Sequence, residues 1–437
     1  MSGLGRRGLL AGAAALPALA ALPAGAATPA ASEPFWGAHQ GGIATTPQTH
    51  TVFAAFDLHT AKRAELAALM RAWSEAAARL AQGLPAQPDG PLVLVRPVVA
   101  AAQNGGDSDA NYDDPAAHAA PGSDTGEAQG LSPARLTVTF GFGAGLFSHA
   151  GQDRFGLQAA RPEALVDLPA FPGDQLEVAQ TGGDLSVQAC ADDPMVAFHA
   201  VRQLVRIADG VAALRWLQSG YLPATTAPGA TPRNLMGFRD GTANPDPANA
   251  DDMAGVVWAG AEAPAWMRGG SYLVNRRIRM ALERWDRMAV PVQEQTFGRA
   301  KGSGAPLGAA GEFDPLPLQA QNGDGLPVIA ENAHVRLATA VSNQGARILR
   351  RSYSYATGIS PVAERWPPWH QGLEYDAGLL FLAYQRDPRT GFIRIFERMA
   401  RIDMLNQFVT HVGGGLFACP PGAAPGGYVG QALLEGA

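Results

Sequence analysis

Thr51-Val-Phe-Ala-Ala-Phe-Asp-Leu58 is rich in β-branched and aromatic residues and reads as a strand. A helix follows. Thr60 is placed to cap it, Leu66, Leu69, Met70, Trp73 and Leu80 share one face, and Gly83 can end it. Residues 136–142 and 185–190 are two more β-rich runs. Asp193-Pro194 offers an N-cap with proline at the first helical position. The helix it opens directs Phe198, Val201, Val205 and Ala208 inward and stops at Gly210, and residues 211–217 form a last strand. That order, β-α-β-β-α-β, is the ferredoxin-like unit.

The second half repeats the order less cleanly. Residues 271–280 read as a strand, 281–297 as partly helical, and 348–355 and 378–385 as strands. A helix around Phe392, Ile395, Phe396 and Met399 follows, and residues 415–418 close the set. The expected class is α+β: two ferredoxin-like (βαββαβ) domains with antiparallel sheets, residues 28–220 and 221–437. A Pro/Thr/Gly-rich linker near 220–232 joins them. Residues 101–134 are Gly/Asp/Ala-rich and 301–330 Gly/Pro-rich, so both read as loops.

Composition narrows the function. The chain has 437 residues, 47% hydrophobic and 16% charged, enough apolar material for a sizeable core. A net charge of -6 argues against nucleic acid as a partner, because phosphate neutralisation needs a basic surface. Cys190 and Cys419 read as buried free thiols, and no Cys-x-x-Cys-His supports covalent haem attachment. Residues 1–27 read as an export signal: Arg6-Arg7 precede an Ala/Leu-rich run, and Ala24-Gly25-Ala26 supplies small residues for cleavage. Paired arginines suggest the twin-arginine route, which carries folded proteins. The expectation is a periplasmic or secreted protein with no membrane association after cleavage.

Chemistry concentrates in Asn234-Leu-Met-Gly-Phe-Arg-Asp-Gly-Thr-Ala-Asn-Pro245, where Asp240 follows Gly237 by three residues and precedes Gly241. Alone, Asp-Gly marks a surface turn. Downstream lie Glu331-Asn-Ala-His334-Val-Arg-Leu-Ala and Arg347-Ile-Leu-Arg350-Arg-Ser-Tyr-Ser-Tyr. In this order the three stretches resemble the Gly-x-x-Asp-Gly motif, haem-ligand segment and distal-arginine strand of the dye-decolourising peroxidases. Phe35-Trp-Gly-Ala-His-Gln, Leu136-Thr-Val-Thr-Phe-Gly-Phe-Gly and Ala191-Asp-Asp-Pro extend the likeness over nearly everything after the first thirty or so residues.

The resemblance implies haem b bound in the C-terminal half, with His334 as axial ligand and Asp387 accepting that imidazole's other N–H. It makes Asp240 the acid–base group for hydrogen peroxide and Arg350 the cation that stabilises developing negative charge. Strand alternation sends Arg350 and Arg351 to opposite sides, and the resemblance selects Arg350. Arg299 is the candidate cation for the haem propionates, Gly241, Thr242 and Ala243 line the porphyrin plane, and residues 301–330 run along the haem's edge. His39 reads as structural. Ser352 stands where the family usually has glycine. Trp366, Trp369, Tyr353, Tyr355, Tyr375 and Tyr384 are candidate stations for carrying oxidising equivalents outward, or ordinary core aromatics.

The implied activity is peroxide reduction coupled to oxidation of dyes or other small one-electron donors. An aspartate as base points to an acid optimum, since carboxylates ordinarily titrate near 3.9. Two alternatives stay open: a deferrochelatase role that releases iron from haem, as associated with the exported subgroup, and haem binding without turnover. A homodimer is also left open.

Overall fold

β1 (His50–Leu58) is buried along nearly its whole length, so both of its faces must be covered. Val52, Ala54 and Phe56 join one apolar cluster with Leu66, Trp73, Val201 and Leu204, which come from the helices Arg63–Leu80 and Pro194–Ile207. Phe53 and Ala55 join a second cluster with Trp216, Tyr353, Leu382 and Phe417. This is the period-two alternation of a strand between two apolar layers.

The described residues of this computed structural model are 32–88, 123–223, 230–363 and 371–436. The expected export signal, most of the 101–134 loop, part of the linker, and Trp366 and Trp369 lie outside them. The remaining strands are β2 (Thr137–Gly143), β3 (Leu185–Ala191), β4 (Ala212–Tyr221), β5 (Ser271–Met280), β6 (Leu349–Arg350), β7 (Tyr353–Ala363), β8 (Gln371–Gln385) and β9 (Val409–Cys419).

The expectation of two separate sheets needs correction. All nine strands form one antiparallel sheet in the order β5-β9-β2-β3-β1-β4-β7-β8-β6, and β5 also pairs with β8, which closes a barrel. The seams between the halves are short: Phe142↔Ala418 and Gly143↔Phe417 on one side, Tyr221↔Ser354 on the other. Short seams carry little sequence signal, so closure is invisible in hydrophobic periodicity.

Other local expectations meet mixed outcomes. Asp193 caps its helix, accepting from the amides of Met195 and Val196 at 2.7 and 3.1 Å. Phe198 does not face inward; it is 44% exposed, while Ala197, Ala200, Val201 and Leu204 form the buried stripe. Val201 and Ala208 of the expected face are buried at 1% and 0%, so only part of that stripe turns to solvent. Thr60 does not cap the first helix, which begins at Arg63; its hydroxyl accepts from the Lys62 amide at 3.0 Å and donates to Glu65 at 2.5 Å. Residues 348–355 form two strands interrupted at 351–352. Both cysteines are buried and free. Among the described residues, no helix is long and apolar enough to cross a membrane.

Barrel closure rests on backbone packed against backbone at the β5–β8 seam. A Cβ added at Gly378 would lie 1.9 Å from the Ile278 carbonyl oxygen, a contact that no side-chain rotation relieves. Gly378→Ala should therefore destabilise the protein by about 3 kcal/mol or more, the upper end of overpacking costs. Urea unfolding checks this, and an unchanged midpoint would show that the seam can separate freely.

Candidate active site

The loop bearing Asp240 is fixed from beneath by apolar anchors. Met236 and Phe238 are 1% and 2% exposed and pack with Trp285, Phe297 and Phe408. Phe238 stacks on Phe297 with ring centroids 4.0 Å apart, and Trp285 Nε1 donates to the Met236 carbonyl at 3.1 Å. Asn234 closes the turn: its side-chain oxygen accepts from the amides of Met236 and Phe238. Gly241 has φ +121, a conformation open in practice to glycine, so the residue after Asp240 turns where another would resist.

That turn brings Asp240 to Arg350. Arg350 Nη1 donates to Asp240 Oδ1 at 2.9 Å, although 110 residues separate them. Asn244 secures the pairing, donating from Nδ2 to the Arg350 carbonyl at 2.7 Å and accepting from the Arg350 amide at 3.0 Å. One side chain thus acts as a strand neighbour for β6. Arg351 points the other way into the barrel, where it is 3% exposed and donates to the Thr45 carbonyl and to Gln48. Between Arg351 and β7, the Ser352 hydroxyl is buried with no hydrogen-bond partner.

His334 opens the short helix His334–Leu337. Its Nδ1 lies 2.7 Å from Asp403 Oδ2, and the other oxygen of Asp403 accepts from the Leu405 amide at 2.8 Å. Asp403 follows the helix Phe392–Ile402, and its side chain is only 2% exposed. The expected partner, Asp387, is elsewhere. Its carboxylate accepts from the amide and guanidinium of Arg389 in the turn after β8, with Arg389 Nη2 at 2.8 Å. Asp387 does not line the cavity that His334 faces. The correction has a plain cause: Asp387-Pro388 is strong local turn chemistry, and a turn satisfies its own carboxylate.

Asp240, Gly241, Thr242, Ala243, Arg299, His334, Arg350 and Asp403 all border one cavity of about 400 Å³, within the usual range for a bound small molecule. Ile278, Met280, Leu379, Phe381, Ile395 and Met399 give it largely apolar walls. Phe297 reaches both sides of the site, with Phe238 on one face and the His334 ring 5.7 Å away. Arg299 is held by the carbonyls of Gly304 and Glu312 at 2.7 and 2.9 Å, and burial lowers its pKa, with Arg350 adding to the effect. Thr242 donates to Glu312 at 2.9 Å, so the 301–330 loop is tied to the cavity rim, and Leu316 lines it. His411 also borders the cavity. Burial, then Arg276, pushes its pKa down to about 3, so its ring stays neutral.

His39 is structural in its contacts: its ring stacks on Trp258 at 3.8 Å, and its Nδ1 lies 2.7 Å from the Gly269 carbonyl. Asp403, Asn244 and His411 were not singled out by sequence reasoning. Asn244 lies inside the motif that was quoted. Asp403 gives only the signal of an N-cap before residues 404–407, which says nothing of a histidine 69 positions away.

Comparisons with known proteins place the chain in a family. Residues 40–222 match the family model "Dyp-type peroxidase, N-terminal", and residues 231–424 match "Dyp-type peroxidase, C-terminal". The chain belongs to the Dyp-type peroxidase family. It is 46% identical over 314 residues to a dye-decolorizing peroxidase of Thermobifida fusca, covering 70% of this chain and 69% of that one. It is 35% identical over 412 residues to a deferrochelatase of Escherichia coli, covering 92% and 87%. A DyP-type peroxidase from Streptomyces coelicolor superposes with a TM-score of 0.78 at 39% identity, covering 93% of this chain and 98% of that one. Ferric DtpA from Streptomyces lividans gives 0.78 at 40%, with the same coverage. As a member of the family the chain is a peroxidase, an oxidoreductase with peroxide as acceptor.

The two aspartates can be told apart by stability. Asp403→Ala leaves the His334 ring and the Leu405 amide without their acceptor and should cost about 2–3 kcal/mol. Asp387→Ala breaks a contact with the 38%-exposed Arg389 side chain, worth at most about 1 kcal/mol. Urea unfolding of both variants checks the order, and equal losses would contradict the assignment.

Proposed function

We propose that the cavity holds haem b, that His334 would be the iron's ligand, and that Asp240 and Arg350 act on hydrogen peroxide in the same cavity. The observation that carries this is the pairing of two constellations in one cavity: Arg350 with Asp240 at 2.9 Å and His334 with Asp403 at 2.7 Å. The residues fit the group. With Nδ1 turned to Asp403, the remaining ring nitrogen of His334 is available as a ligand, and a carboxylate partner of this kind raises ligand basicity. The apolar walls suit a porphyrin, Arg299 is the cation for a propionate, and Gly241, Thr242 and Ala243 border its plane.

Bound there, haem would supply the redox chemistry between peroxide and dyes or other small one-electron donors. The protein's part is proton management. Asp240 would take the proton from one peroxide oxygen and give it to the departing oxygen, which leaves as water. Arg350 stabilises the negative charge that develops between those transfers. Asn244 fixes the Arg350 backbone, so the cation is in place before peroxide arrives.

Two wider readings accompany this one. Each half, 28–220 and 221–437, is a ferredoxin-like unit of the barrel; the supporting observation is the shared strand order, β4-β1-β3-β2 and β9-β5-β8-β7. Residues 1–27 direct twin-arginine export to the periplasm, on the strength of Arg6-Arg7 and the apolar run behind them. A second function is iron release from haem, favoured by the 92% coverage of this chain by a relative named deferrochelatase. Haem binding without turnover is the weaker reading, because it gives the Asp240–Arg350 pair no task.

The test is stopped-flow absorbance of the haem-loaded protein mixed with one equivalent of H2O2. Asp240→Asn should slow the spectral change by about 10²–10⁴-fold, and Arg350→Leu by about 10²-fold or more. Equal rates in wild type and Asp240→Asn would remove Asp240 from the mechanism. Free porphyrin and released iron as the products, with no dye oxidised, would favour the deferrochelatase reading.

A further inference from the structure

Arg276 lies in β5 behind the candidate active site; it does not border the cavity, and no step above uses it. Strand alternation puts it on the outer face of the barrel with Ile278 and Met280, which do border the cavity. Its cross-strand neighbour on β8 is Phe381, another wall residue. The guanidinium carbon lies 5.3 Å from the centroid of the Phe171 ring, 5.8 Å from Phe392 and 6.0 Å from Phe396. Phe392 and Phe396 also belong to the wall, so one layer of rings separates a positive charge from the cavity.

That charge is only loosely neutralised. Arg276 is 1% exposed, and a guanidinium stays protonated in proteins. Its partner is Asp174, reached by a single contact, Nη1 to Oδ2 at 3.3 Å. Arg276 Nε and Nη2 and Asp174 Oδ1 are buried without hydrogen-bond partners. The next residue on the strand shows a closer pairing: Arg277 Nη2 reaches both oxygens of Asp376, at 2.8 and 2.9 Å, and Nε donates to Gln218 at 2.8 Å. A buried pair that served stability would satisfy its remaining atoms, since each one left over costs desolvation that pairing should repay. Aromatic faces hold Arg276 instead. Its field reaches the wall: burial, then Arg276, lowers the pKa of His411, which pairs with Ile278 across the strands and borders the cavity.

We propose that Arg276 raises the reduction potential of the haem through the cavity wall. The inference rests on the haem reading above. A fixed positive charge in a poorly screening wall disfavours the more positive, oxidised iron, so the ferrous form gains and the midpoint rises. A unit charge one side-chain layer away, at an effective dielectric of about 20, shifts such a one-electron equilibrium about tenfold. Arg276 touches neither peroxide nor donor; it is a positioning residue that acts through its field. Asp174 offsets part of that field, but the cation is the group that acts on His411. A higher potential lets the site draw electrons from donors that hold them more firmly, so Arg276 bears on which dyes are oxidised.

The experiment measures the ferric/ferrous midpoint of the haem-loaded full chain, following the Soret band during titration with dithionite. Arg276→Met should shift the equilibrium toward ferric by about tenfold, a midpoint about 59 mV lower for one electron. That variant strands Asp174, so Arg276→Met combined with Asp174→Asn is measured beside it. The double variant carries no buried charge at this point and should still lie below wild type. Arg276→Lys keeps the charge and should stay near the wild-type value. Equal midpoints in wild type and the double variant would overturn the proposal and leave Arg276 as half of a buried ion pair. A midpoint for Arg276→Lys as low as for Arg276→Met would also overturn it, by tying the shift to lost packing. No Soret band in haem-loaded wild type would instead sink the haem reading, and this inference with it.

Discussion

The barrel depends on β5, which is paired along both edges, to β9 on one side and β8 on the other. Closure pairs β5 along both edges, while β4 and β7 meet only through Tyr221 and Ser354. Closure also divides the side chains of the central strands into two populations. Those facing in form the cluster around Phe53, Leu273, Tyr353 and Tyr384. Those facing out meet helices and loops. Ile278 and Met280 of β5, Leu379 and Phe381 of β8, and Val409 and His411 of β9 all border the candidate active site. The cavity is therefore built against the outside of the barrel, on a rigid wall of three paired strands, while the chemistry is brought to it by loops.

Those loops start far apart in sequence and are joined by few contacts. The Asp240 loop is anchored by Met236 and Phe238, and Phe297 connects it to His334 through ring contacts. The His334 segment is tied to the Phe392–Ile402 helix by Asp403, and the Met404 amide donates to the Asn332 carbonyl at 3.1 Å. A loop held by buried rings and charge-assisted hydrogen bonds is ordered without regular structure. Such preorganisation is what a site needs if its charges are to act without rearranging.

How much of this could be read from the sequence varies with the range of the interaction. The strands of the first half and the helix behind Asp193-Pro194 were legible, because those signals are local; of β8 and β9 only residues 378–385 and 415–418 were read. Asp240, Arg350 and His334 were legible as motifs and do converge on one cavity. Barrel closure was not, because its seams between the halves are two residue pairs and one. Asp387 was named from the family resemblance, while Asp403 lay unnoticed after a helix. Sequence ranks carboxylates by local context, but a histidine chooses its partner by distance. Phe198 failed for a smaller reason: two adjacent stripes of this helix fit the same period, and packing on the sheet decides between them.

The break between β6 and β7 shows how one local irregularity serves both sides of the barrel wall. Arg350 and Arg351 are neighbours, and alternation sends one to the cavity and the other inside. Arg350 meets a carboxylate there. Arg351 has no such partner among its described contacts; it relies on the Thr45 carbonyl and Gln48, among the buried hydroxyls of Tyr353 and Tyr384 and the thiol of Cys190. Burial raises the pKa of both phenols well above the ordinary range, so at neutral pH they remain neutral dipoles around a fixed positive charge. Asymmetry of this kind keeps the roles distinct. Among the described residues, the carboxylate that pairs with one of these two arginines is Asp240, on the Arg350 side. Two identical side chains thus acquire different chemistry from the strand that carries them.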